Sequence, residues 1–316
     1  MTLLTLADIE VAPGQRAMRE HHLQVASHQV AIPLIVINGG YEGPRVGITG
    51  GIHGSEYVSI EAARRLGTEI DPQDVRGSLV IVPIANTTAF RKRSIYTSGL
   101  DENNINRVFP GNAQGQPSEV LADWLFHYLI QPSDYYIDLH GGDMIEALVP
   151  FVLYCECSDK RVEEASRQMA LASGMPRIIR TITRGSTYGA ATEAGVPAIL
   201  SEMGGQGVWS DELVKAHKAS TIRVLRALSV LPGAMDPAGD QRLYDTSVWL
   251  RAEADGLFHP AVGVGDTIEP GQHLGDITDY FGQVIQRLHA TAGGEITFLV
   301  TSLAMNAGDP ILAIAS

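Results

Sequence analysis

Val46-Gly-Ile-Thr-Gly-Gly-Ile-His53-Gly-Ser-Glu56 is a short apolar run that ends in two glycines, a histidine and a glutamate. A continuous apolar run is the pattern of a strand covered on both faces. The paired glycines predict a tight turn out of that strand. The amphipathic stretch Ser55–Leu66 then predicts a helix that stops at Gly67. Strand, turn and helix together make the unit of an open α/β sheet, where ligands bind beyond the carboxyl ends of strands. His53 and Glu56, three residues apart at the turn, can aim at one point. A His-x-x-Glu pair is a weak signal by itself, so its position carries more weight than its spacing.

Working outward, the same alternation recurs as far as about residue 231. Strands are predicted at Ile32–Ile37, Val46–Gly51, Ser78–Ile84, Tyr135–Leu139, Phe151–Glu156, Ile178–Thr183 and Ala198–Ser201. Helices are predicted at Ser118–Ile130, Lys160–Ser173 and Asp211–Leu231, in addition to the one after His53. Strands alternating with helices imply an α/β layered fold. Pro232-Gly-Ala-Met-Asp-Pro-Ala-Gly239 has the composition of a linker. Residues 241–316 then lose the helical period and read as short β segments punctuated by glycine, as in a small sandwich or barrel. Two units are therefore expected, 1–231 and 240–316. Gly265-Asp266 and Gly308-Asp309 hint at a two-fold repeat in the second.

Charge marks the same boundary. The 316 residues carry a formal charge of -13. Residues 232–316 hold three basic and eleven acidic residues, a net of -8. This balance argues against nucleic acid or an anionic membrane as partner, since both need clustered Lys and Arg. There is no signal-peptide pattern at the start and no apolar run long enough to span a bilayer. Cys155 and Cys157, in a strand-like stretch, read as reduced structural thiols on one strand face. A cytoplasmic protein is expected. A homo-oligomer is expected on general grounds.

Three further segments carry chemistry. In Tyr135-Tyr-Ile-Asp-Leu-His140-Gly-Gly-Asp143 a strand again ends in a His beside glycines. His53, Glu56 and His140 make a His₂Glu set, which suits a catalytic zinc with one position left open. Asp138 is placed to orient a ligand from behind. Asn106-Arg107-Val-Phe-Pro-Gly111 puts an Arg fork in a loop, suited to pairing with a carboxylate. Ala198-Ile-Leu-Ser-Glu202-Met-Gly-Gly205 delivers Glu202 from a strand into a glycine turn, where it can take a proton and pass it on.

In this order and spacing, the four segments resemble the succinylglutamate desuccinylase/aspartoacylase family, relatives of the zinc carboxypeptidases. The resemblance runs from about residue 30 to the end. His-Gly-x-Glu and Asn-Arg-x-Phe-Pro-Gly also resemble the N-acetyl-diaminobutyrate deacetylase subfamily. The resemblance implies a three-layer α/β fold, a mixed sheet of zinc carboxypeptidase type, with a C-terminal all-β barrel-sandwich domain shielding the site. It implies one zinc per chain on His53, Glu56 and His140, with Glu202 as general base and acid. Asn106 and Arg107 would bind the substrate carboxylate. Family members often carry a further Arg about ten residues before the Asn-Arg pair, which polarises the scissile carbonyl. Arg93 is the first candidate for that role and Arg91 the second, although the spacing of neither is clean.

The implied activity is zinc-dependent hydrolysis of the amide bond in a small N-acyl amino acid. Two rival readings share the fold: a zinc carboxypeptidase acting on peptides, and a non-catalytic binding protein. An intact Glu202 speaks against the second. Tyr188 and Tyr280, near glycines, read as packing residues, and the other histidines lack a matching context. The β domain resembles a lipoyl-type unit, but no Lys follows Lys218, which excludes lipoyl or biotinyl attachment there.

Overall fold

The Val46–Gly50 run forms the buried end of a ten-residue strand at the centre of a nine-stranded sheet. This computed structural model describes residues 2–235, 237 and 239–316, so two positions of the expected linker lie outside the described residues. In chain order the strands of the first part are β1 (Leu4–Leu6), β2 (Ile9–Val11), β3 (Gln15–Val25), β4 (His28–Asn38), β5 (Tyr41–Gly50), β6 (Arg76–Val82), β7 (Tyr135–His140), β8 (Glu146–Leu148), β9 (Phe151–Cys155), β10 (Arg177–Thr181) and β11 (Ala198–Glu202). Its helices are α1 (Tyr57–Glu69), α2 (Thr87–Lys92), α3 (Pro117–Leu125), α4 (Lys160–Ala172), α5 (Thr187–Glu193) and α6 (Asp211–Ala227). Then follow β12 (Arg242–Tyr244), β13 (Ser247–Arg251), β14 (Gly256–Pro260), β15 (Thr267–Ile268), β16 (His273–Thr278), β17 (Val284–His289), β18 (Gly294–Val300), β19 (Ala304–Met305) and β20 (Pro310–Ala315).

The large sheet runs β12-β10-β9-β11-β7-β5-β6-β4-β3. β5 is parallel to both β6 and β7, and β7 is parallel to β11, whereas β9 and β4 run antiparallel to their inner neighbours. Both faces are apolar. On β4 the side chains of Val30, Ile32, Leu34 and Val36 enter one core, and Ile35 and Ile37 enter the other. α3 and α5 cover the first face, through Leu121, Trp124, Ala190 and Ala191. α1, α4 and α6 cover the second, through Leu66, Met169 and Val224. A one-residue slip in any central strand would exchange the two faces, so the alternation pins the register.

Several boundaries differ from the sequence reading. α1 runs through Gly67 to Glu69. Gly67 is a packing residue there, because a Cβ would come within 2.5 Å of Ile35 Cδ1. The helix expected over 118–130 stays α-helical to Leu125 and then widens to a π turn over Phe126–Ile130. β1, β2 and β3 carry no apolar run and escaped prediction, as did the short α2 and α5. The two thiols do not share a strand face: β9 ends at buried Cys155, and Cys157 lies beyond it, half-buried.

The C-terminal strands form two antiparallel sheets around one core that includes Phe258, Leu274, Phe298 and Leu312. Gly265 and Gly308 both adopt positive φ. Each is followed by an Asp that accepts an amide three residues back, Asp266 from Gly263 at 2.7 Å and Asp309 from Asn306 at 2.9 Å. The hinted repeat is therefore a repeated turn. Strands cross between the two parts: β12 joins the edge of the large sheet at β10, and β8 pairs with β18. No helix among the described residues is long and apolar enough to cross a membrane.

Glu295 of β18 fastens this junction. Its buried carboxylate accepts from Arg177 Nε at 2.8 Å and Arg242 Nη1 at 3.3 Å, and from the Tyr244 hydroxyl. Burial alone would raise its pKa, but Arg177, Tyr244 and Arg242 outweigh that and hold it below the usual carboxylate value. Glu295→Ala strands Arg177 and is expected to lower stability by roughly 3 kcal/mol. The folded pKa is depressed, so this stabilisation is present at neutral pH. It fades as pH falls below about 4.3 toward the folded value. Thermal melts of wild type and variant should therefore differ at pH 7 and converge in acid.

Candidate metal centre and active site

Three adjacent strand ends converge. β5 leads through Gly50 and Gly51 to His53, β7 ends in His140, and β11 ends in Glu202. From β5 the chain passes to β6 on one side, then returns to β7 on the other. The crevice at that reversal is where open sheets bind ligands. Glu202 and His140 are register partners on parallel strands. Tyr136, Asp138 and His140 alternate onto one face of β7, so the strand period itself sets the Asp behind the His.

Two glycines allow the turn. Gly51 sits at φ +65°, which frees the chain to leave the strand. Gly54 lets α2 approach closely, since a Cβ would lie 2.1 Å from Phe90 N. Glu56 occupies the N-cap position of α1 yet makes no side-chain cap. Ser, Thr, Asn or Asp would ordinarily cap there. The carboxylate is turned instead toward the histidines, a local rule broken at a functional site.

Glu56 Oε1 lies 2.7 Å from His53 Nδ1, and Oε2 lies 3.0 Å from His140 Nδ1. The three side chains offer ligand atoms within 4.8 Å of one another. The far ring nitrogens are also engaged: His53 Nε2 with Asn104 Oδ1 at 3.0 Å, and His140 Nε2 with Asp138 Oδ2 at 2.9 Å. Asp138 is wholly buried and accepts further from Thr49 Oγ1 at 2.6 Å and from the Thr187 hydroxyl. If each Nε2 keeps its proton toward these acceptors, both Nδ1 lone pairs face a carboxylate. Such a cluster of acceptors calls for a cation at its centre, and nitrogen–nitrogen–oxygen donors suit zinc. The residues present fit that metal.

The electrostatics agree. Burial alone would raise Glu56, but His140 and His53 outweigh it and hold the carboxyl down to about 2. Burial disfavours the charged form of His140, yet Asp138 and Glu56 raise it well above the usual imidazole value. Glu202 is pushed well above the ordinary carboxyl range, chiefly by burial, and its Oε2 has no partner among the described residues. Burial also lifts Asp143 to about 6 and Glu146 to about 7. Five acidic side chains crowd two histidines, an imbalance that a divalent cation would relieve.

A cavity of about 440 Å³ opens over this cluster. Arg107 and Asn106 line it, and Arg107 Nη1 donates to Asn106 O at 2.7 Å. Asn106 also has a structural task, because its Oδ1 accepts the Thr187 amide at 2.9 Å and fixes the start of α5. Trp249, Arg251, Phe298 and Pro310 close the cavity from the C-terminal unit. Tyr188 lines it too, with its hydroxyl 2.9 Å from Thr181 Oγ1. Tyr280 is 79% exposed, in the turn between β16 and β17.

Arg93 and Arg91 are not among the residues that line this cavity. They line a separate groove with Tyr57, Phe90 and Trp209. Arg93 ends α2 in the left-handed region at φ +55°. Tyr96, Asn104, Glu146 and Arg251 were not singled out from the sequence. They join the site through contacts about 50 residues or more away along the chain, or through the C-terminal sheet.

The succinylglutamate desuccinylase/aspartoacylase catalytic-domain model matches residues 42–228, more than half the chain. The chain belongs to the succinylglutamate desuccinylase/aspartoacylase family. A curated relative, the N-alpha-acetyl-L-2,4-diaminobutyric acid deacetylase of Halomonas elongata, is 30% identical over 298 residues, covering 90% of this chain and 86% of that protein. Among solved structures, the product-bound ectoine utilization protein EutE of Ruegeria pomeroyi is 27% identical, with a TM-score of 0.87 over 95% of each chain. A desuccinylase/aspartoacylase structure from Rhodobacter sphaeroides, 23% identical, matches the fold with the same score over 98% of each chain. The large mixed sheet and the additional antiparallel sheets are thus the architecture of this family.

Proposed function

We propose that this protein is a zinc-dependent deacylase, hydrolysing the amide bond of a small N-acyl amino acid to a carboxylic acid and a free amine. One observation carries the reading. An acceptor-rich His53–Glu56–His140 cluster stands beside Glu202, whose buried Oε2 has no partner among the described residues, inside one cavity. The likeness to a deacetylase of an acetylated diamino acid supports the reaction and makes acetylated diamino acids the first substrates to try. The three-layer core is read as the zinc carboxypeptidase type.

Zinc on these three side chains would supply Lewis-acid chemistry, withdrawing charge from the acyl oxygen and acidifying water. The remaining work falls to this chain. Arg107 pairs with the substrate carboxylate and fixes the amide across the cavity. Glu202 takes a proton from the attacking water as its oxygen bonds to the acyl carbon. The same carboxyl then gives the proton to the nitrogen as the C–N bond breaks. Asp138 and Asn104 hold the two imidazoles in one tautomer and one orientation. The walls built by Trp249 and Phe298 favour a small substrate over a peptide.

The test is a substrate panel followed by amine release with zinc present. Acetyl, succinyl and formyl amino acids, acetylated diaminobutyrate included, are compared with the same compounds amidated at the carboxyl group and with short peptides. Cleavage of free-acid N-acyl amino acids is expected, with a loss of at least about 10-fold in kcat/KM on amidation. Preferential cleavage of peptides at their C-terminal residue would replace this reading with the carboxypeptidase one.

A further inference from the structure

The scissile carbonyl of an amide needs a hydrogen-bond donor as negative charge builds on its oxygen, and the guanidiniums expected for that task point elsewhere. Arg91 and Arg93 line the separate groove. Two arginines line the cavity among the described residues, both exposed: Arg107 is assigned to the carboxylate, and Arg251 donates to Gly308 O at 2.8 Å. Tyr96 remains. It lines the same cavity as the metal cluster, and its ring stands edge-on to His53, with centroids 6.5 Å apart at 86°.

We propose that Tyr96 is a catalytic residue whose phenolic hydroxyl donates a hydrogen bond to the acyl oxygen in the transition state. The inference rests on the amide-hydrolysis reading and assigns one more role within it. Three features place the ring. Its backbone adopts φ +60°, a conformation that aromatic residues rarely hold without a constraint. The constraint is on hand: Tyr96 N donates to Oδ2 of the fully buried Asp143 at 3.0 Å. At the other end the hydroxyl donates to Glu146 Oε1 at 2.6 Å, and Glu146 Oε2 accepts the Asp143 amide at 2.7 Å. Both ends of Tyr96 are therefore tied to the loop that follows His140, which fixes the ring relative to the metal ligands.

The chemistry suits a neutral donor. In the resting site the phenol proton points to Glu146. As charge grows on the acyl oxygen, the hydroxyl turns its proton to that oxygen, and Glu146 keeps the Asp143 amide. No covalent bond to Tyr96 forms or breaks. The donor gains most in the transition state, so its loss should appear in kcat more than in KM.

The experiment is Tyr96→Phe, which keeps the ring and its packing. Zinc-restored wild type and variant are compared for zinc content, melting temperature, kcat and KM. Affinity for a phosphonate mimic of the tetrahedral intermediate, and for the product amino acid, is measured on both. The expected result is a fall in kcat of about 100-fold with KM changed by less than about 3-fold. Zinc content and product affinity should be unchanged, and mimic affinity should fall by the same factor as kcat/KM. Wild-type kcat and mimic affinity in the variant would overturn the role. So would a parallel loss of zinc, product and mimic affinity, which would mark Tyr96 as a structural brace for Glu146. An active wild type beside an equally active Tyr96→Phe removes only this inference. A zinc-loaded wild type that releases no amine from any N-acyl amino acid removes the proposed function, and this role with it.

Discussion

Glu202→Gln is expected to retain its metal and its fold and to lose turnover by about 1,000-fold, within the range for removing a general acid–base. The glutamine has nearly the same shape, so β11 and its register with His140 are preserved. What disappears is the ability to accept a proton and release it. The position is unusual for a structural carboxyl. Glu202 Oε2 is buried without a partner among the described residues, and burial holds the group well above its ordinary range. An unpaired buried acid is costly, and that cost is understandable where the group must exchange protons. Initial rates of amine release at saturating substrate, with zinc content measured on the same sample, decide the matter. Turnover within about 3-fold of wild type would assign the proton transfer to another group.

Much of this site is legible in the sequence because strands end where chemistry begins. The runs before His53, His140 and Glu202 are largely apolar, and each has a glycine pair close to the site residue. Their local pattern alone places all three residues at strand ends. The supporting contacts are another matter. Asn104 meets His53 from 51 residues away, Thr49 and Thr187 meet Asp138 from 89 and 49, and Tyr96 meets Glu146 from 50. No local pattern encodes those pairings; only the fold brings them together. Arg93 shows the opposite failure. The family resemblance gave it a role despite imperfect spacing, but Arg93, in the left-handed region at the end of α2, lines another groove. β3 escaped because it is an edge strand, whose polar residues Arg19, Glu20 and His22 face solvent and leave no apolar run. The change of pattern after residue 240 does mark the start of β segments, but it could not show that β12 returns to the large sheet or that β8 reaches across to β18.

His140→Ala is the second large effect. It removes one of the three donors and also leaves Asp138, fully buried, without its imidazole partner. Loss of bound zinc is expected, together with loss of measurable turnover and a lower melting temperature. The variant Asp138→Asn separates the two causes. His140 then keeps its place on β7 but loses the carboxylate behind it, and zinc affinity should fall by about 10- to 100-fold rather than vanish. One zinc per chain retained in His140→Ala would refute the ligand set.

The most direct measurement is a zinc titration of chelator-stripped wild type, with bound metal and amine release from an N-acyl amino acid followed together. Activity should be absent in the stripped protein, rise in proportion to bound zinc and level off at one zinc per chain. Full activity in the metal-free protein, or a fully loaded protein that releases no amine from any compound of the panel, would contradict the account.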